Sequence, residues 1–125
     1  MKLRLQTNSL RLRLKRGEVA QLIKDGCVEE VITFASDQTL HYRLQISQVA
    51  SGLTAIFAAG EIDVAVPVAM AQRWASSEEV GMEASQAAGE NPSLQILIEK
   101  DFACLNGDDA QNVDTFPNPL AGTPC

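Results

Sequence analysis

The stretch Leu94 to Leu105, LQILIEKDFACL, constrains the fold most, because it carries a strong β signal with three adjacent charges, Glu99, Lys100 and Asp101, inside it. Side chains alternate between the two faces of a strand, so Leu94, Ile96, Ile98, Phe102 and Cys104 share a face with Lys100. Glu99 and Asp101 then fall on the polar face, and Lys100 alone is out of place. An unpaired ammonium buried there would cost several kcal/mol. Three arrangements relieve it: a bulge that turns Lys100 outward, an overrunning strand from which it snorkels, or burial with a partner. The first two are the simpler expectation.

The same period of two recurs along the chain. Leu3 and Leu5, then Leu10, Leu12 and Leu14, alternate with Lys and Arg, and the parity change across Thr7–Ser9 requires a turn or bulge. Leu40, Tyr42, Leu44 and Ile46 alternate without exception with His41, Arg43 and Gln45. Gly60 separates two apolar runs and predicts a hairpin from Leu53 to Val66, while Val80, Met82 and Ala84 mark a further strand. Cys27 to Phe34 is β-branched with mixed parity, as in a strand distorted near Glu29 and Glu30.

Two segments have helical spacing instead. Arg16 to Asp25 places Val19, Leu22 and Ile23 on one side, with Gly26 as a C-terminal cap. Val68, Ala71 and Trp74 form a stripe after Pro67, which suits the first helical position. The expected fold class is therefore α+β: a curled, mainly antiparallel sheet of seven or eight strands, barrel-like at the extreme, with two short helices. No internal repeat is evident. A single domain covers residues 1–105, and residues 106–125, rich in Pro, Gly and Asp, form an extended tail packed on the domain or partly disordered.

Charge is segregated. Lys2, Arg4, Arg11, Arg13, Lys15 and Arg16 all precede the first acid, Glu18, although the net charge is −6. The acidic remainder argues against nucleic acid, because phosphate affinity depends on cations presented together. No apolar run reaches membrane-spanning length, and the Arg/Leu alternation at the start is unlike a signal peptide. Three widely spaced cysteines, Cys27, Cys104 and Cys125, match neither a disulfide framework nor a zinc signature. The expectation is a reduced, cytoplasmic protein without a cofactor; its oligomeric state is not fixed by these features.

Several separated motifs, MKLRLQTNSLRLRL, VEE at Val28–Glu30, VPVAMAQRW, EKDFACL and DTFPNP, together resemble an uncharacterised bacterial protein family of about this length. The resemblance spans essentially the whole chain. It implies a free-standing domain and assigns no catalytic, cofactor or ligand residue.

Phosphate-loop, dinucleotide, zinc-protease and nucleophile-elbow motifs are all missing, and the one histidine, His41, lies on a polar strand face. The leading expectation is a non-enzymatic protein-interaction or structural module. The alternative is a small anionic ligand bound, or hydrolysed, on polar strand faces by Arg4, Arg11, Arg13, Arg43, Glu99, Lys100 and Asp101, with Glu61 and Asp63 nearby. It requires those faces to converge. A second alternative, a metal or thiol site, would combine His41, the cysteines and tail acids such as Asp108, Asp109 and Asp114.

Overall fold

The alternating segments pair into two sheets. In the computed structural model, which describes residues 1–89, 91–102 and 114–117, the strands are β1 (Lys2–Gln6), β2 (Ser9–Leu14), β3 (Cys27–Ala35), β4 (Gln38–Ser47), β5 (Thr54–Ala58), β6 (Glu61–Pro67), β7 (Gly81–Ala88) and β8 (Asn91–Lys100). The helices are α1 (Arg16–Asp25), between β2 and β3, and α2 (Val68–Ser76), between β6 and β7. Pro67 is the cap residue of α2, one position earlier than expected.

Strand order is β1-β2-β8-β7 in the first sheet and β3-β4-β6-β5 in the second. Hairpins supply the antiparallel pairs, while β2 with β8 and β4 with β6 are parallel. The class is α+β as expected, but the strands divide between two mixed sheets with free edges and do not close into a barrel. The irregularity in β3 lies between Thr33 and Ala35, not near Glu29 and Glu30.

Contrary to the reading of the sequence, the fold is internally repeated. The chain runs ββαββ twice, and exchanging the two halves turns the first sheet into β5-β6-β4-β3, the second sheet read backwards. Local details repeat too. Thr7 and Ala59 open the matching hairpin turns with φ of 52° and 51°. Leu22 and Trp74 are the fully buried residues at matching helix positions. The amide of Ile46 donates to the Gly26 carbonyl at 2.8 Å, and that of Lys100 to the Val80 carbonyl at 3.0 Å. Only apolar positions keep the repeat in the sequence, so it is invisible to residue identity.

The buried faces of both sheets and of both helices form one cluster, with Leu12, Leu14, Leu22, Leu44, Val64, Val66, Trp74, Ile96 and Ile98 fully enclosed. Each such aliphatic side chain contributes roughly 1.5–3 kcal/mol on leaving water. Gln86 ties the sheets together: its amide accepts from the Ala55 N–H and donates to the Ala55 carbonyl, each at 2.8 Å. Among the described residues no helix is long and apolar enough to cross a membrane.

Tyr42, the one tyrosine in the sequence, is buried and donates its hydroxyl to the Met1 carbonyl at 2.9 Å. Burial pushes its pKa up, and Glu30 and Glu18 push it further in the same direction. Below pH 10 the phenol is neutral in both states; above it the unfolded chain ionises first, so this contribution to stability is lost as pH rises through the folded value. Phenolate absorbance is expected to titrate above 10 in the folded protein. Tyr42→Phe should flatten the alkaline decline in stability, and a phenolate midpoint at or below 10 would refute the assignment.

Candidate anion-binding face

The first sheet turns one face to the core and the other to solvent, and strand register decides what the outer face carries. Lys2, Arg13 and Glu99 lie side by side across β1, β2 and β8, followed by Gly81 on β7. Arg4, Arg11, Leu97 and Glu83 form the next row. Gly81 is required here, since a Cβ at that position would stand 2.9 Å from the Ile98 carbonyl oxygen and 3.2 Å from Glu99 Cγ. The two rows hold four cations and two carboxylates.

Glu99 organises the cluster. Its Oε1 lies 3.1 Å from Arg11 Nε and 3.5 Å from Arg13 Nε, without hydrogen-bond alignment to either. One carboxylate therefore balances two guanidinium groups, which are themselves about a third exposed. Among the described residues Arg4 has no carboxylate within ion-pair distance. Beside Arg11 a recess of about 450 Å³ opens over Ser9, Glu83, Ser85, Gln95 and Leu97.

Lys100 and Asp101 do not belong to this face. The β2–β8 register runs unbroken through Leu12/Ile98, Arg13/Glu99 and Leu14/Lys100, so no bulge turns Lys100 outward, and it is 5% exposed. Burial with partners is what the chain adopts. Lys100 Nζ donates to the Ser77 carbonyl at 2.7 Å, capping the C-terminal end of α2, where a cation meets the negative end of the helix dipole. It also lies 5.9 Å from the centre of the Trp74 ring and 5.5 Å from that of Phe116, within cation–π range. Burial lowers its pKa from the usual lysine value, with Glu79 and Glu78 pulling it back up.

Asp101 is also 5% exposed, against the expectation that it would face outward with Glu99. Parity fails because β8 ends at Lys100. Asp101 N then donates to the Leu14 carbonyl, and its carboxylate lies 3.0 Å from Lys2 Nζ. The Asp101 carbonyl accepts from the Phe116 amide at 2.8 Å, which anchors the returning segment. Phe116 opens the FPNPL segment, which the sequence marks only as one that could dock on its own domain or on a partner, and Trp74 reads from the sequence only as core; neither pattern points to Lys100. Asp114 caps α1, accepting from the Gly17 amide at 3.0 Å.

Arg43 is carried elsewhere, on the outer face of the second sheet, where it meets Asp63 at 2.8 Å and Glu61 at 3.9 Å. His41 lies 3.3 Å from Glu29 on that face. The polar faces thus do not converge, and the seven predicted ligand residues split into three groups: Arg4, Arg11, Arg13 and Glu99; Arg43; and Lys100 with Asp101. Cys27 has its thiol pKa raised, mainly by burial. Cys104, Cys125, Asp108 and Asp109 lie outside the described residues, among which no three His, Cys, Asp or Glu side chains gather to hold a metal ion.

In comparisons with known proteins, residues 1–120 match the model of a family described as "Family of unknown function (DUF7009)". No curated protein and no solved structure matches the chain.

Proposed function

The chain belongs to this family of unknown function, and from the geometry we propose that it is a non-enzymatic binding module whose basic sheet face receives a carboxylate-rich segment of a protein partner. The observation that carries this reading is the two-row patch of Lys2, Arg4, Arg11 and Arg13, in which Glu99 alone balances Arg11 and Arg13 while Lys2 pairs with Asp101. An open sheet face suits an extended segment, and guanidinium groups pair with carboxylates through two parallel hydrogen bonds. The recess beside Arg11 would receive one side chain of that segment.

Magnitudes set what to expect. Exposed ion pairs contribute ~0.2–1 kcal/mol each, so the three guanidinium groups give at most ~3 kcal/mol, equivalent to a Kd on the order of 10 mM. A short fluorescent polyglutamate peptide, followed by anisotropy at low salt, should bind in that range and weaken as salt rises. Arg4→Ala/Arg11→Ala should weaken it at least tenfold, while Arg43→Ala, on the other sheet, should not. Equal effects of the two changes, or binding insensitive to salt, would defeat the proposal.

A further inference from the structure

The two helices leave a groove between them that the basic face does not explain. It is lined by Val19, Ala20 and Ile23 of α1, Ala75 of α2 and Phe116, and offers about 560 Å³ open to one side. Gln72 and Ser76 add polar edges, and among the described residues the charged ones lining it are both cations, Arg16 and Lys24. The ends differ. At one end α1 begins beside the end of α2, and there the Arg16 guanidinium lies 5.9 Å from the centre of the Phe116 ring, which lines the groove. Asp114 sits on the first turn of α1 at this end and would repel an anion. At the other end Lys24 stands exposed in the last turn of α1, next to Ile23, which is 40% exposed despite its apolar side chain.

We propose that the groove between α1 and α2 binds one small amphipathic acid, a long-chain carboxylate, with its tail against Ile23, Ala75 and Phe116 and its head toward Lys24. Charge complementarity favours an anionic head, because the charged side chains among the described residues that line the groove are Arg16 and Lys24. The volume of about 560 Å³ lies within the range of about 300 to 1,000 Å³ typical of small-ligand clefts, and the apolar lining suits an aliphatic tail. The site is separate from the basic face and does not depend on it.

Dodecanoate, kept below its micellar concentration, is the probe, titrated into the full chain and followed through backbone amide NMR signals. The expected result is a saturable one-to-one shift of the Ala20, Ile23 and Ala75 amides that persists in Arg11→Ala. Lys24→Glu should weaken dodecanoate at least tenfold and leave the uncharged comparison, dodecanol, unchanged. Ile23→Asp, at an exposed position that the fold tolerates, should abolish dodecanoate binding while circular dichroism and Tm remain those of the folded protein. No saturable shift at these amides overturns the proposal, as does a Lys24→Glu protein that binds dodecanoate as tightly as before. Displacement of dodecanoate by a short acidic helical peptide that shifts the same amides would make the occupant a protein segment and would also overturn it.

Discussion

Trp74→Ala is expected to lower the unfolding free energy by about 4 kcal/mol, the upper range for removing a large aromatic side chain from a core. Trp74 is fully buried, at the helix position that Leu22 fills in the other half, and its indole N–H donates to the Val80 carbonyl at 3.1 Å. The substitution therefore removes the buried indole from α2, leaves the Val80 carbonyl with the Lys100 amide as its remaining donor and strips one aromatic face from Lys100. Because domains of this kind have only ~5–15 kcal/mol in total, the urea midpoint should fall steeply with little change in slope. A loss below 1 kcal/mol would mean that the packing around α2 is misassigned.

Lys100→Ala should cost about 3 kcal/mol, combining a vacated space between two rings with a Ser77 carbonyl left unpaired. Lys100→Met should cost about 1 kcal/mol, since an unbranched apolar chain keeps the packing and avoids dehydrating a charge but, like alanine, leaves the Ser77 carbonyl without its donor. The fold itself supports this contrast: the matching position in the other half is Ile46, which makes the same backbone hydrogen bond from an apolar residue. Urea denaturation of the two variants separates the roles. If methionine were as damaging as alanine, the ammonium and not the stem would be the part that matters.

Local periodicity made much of this architecture readable. Strict alternation from Leu40 to Ile46 and the glycine turn at Gly60 foretold their strands, and α1 begins and ends as its spacing predicts. What local pattern cannot express is which strand lies beside which. The parallel pairs β2–β8 and β4–β6 decide that Arg11 and Arg13 meet Glu99 while Arg43 meets Asp63, and nothing in either strand encodes the partner. Lys100 shows the same limit. Its parity was correct, but its burial is made tolerable by Trp74 and Phe116, which approach from other parts of the chain.

The doubled ββαββ order also dictates how the chain must assemble. Each sheet takes one hairpin from each half, so neither half can complete a sheet alone. Joining β4 to β6 closes a loop between Tyr42 and Ile62, whereas joining β2 to β8 must bring Ser9 to Gln95. The longer closure costs about 1.3 kcal/mol more in chain entropy. Chain entropy therefore favours closing the second sheet before the first, so the basic face is the costlier of the two outer faces to assemble.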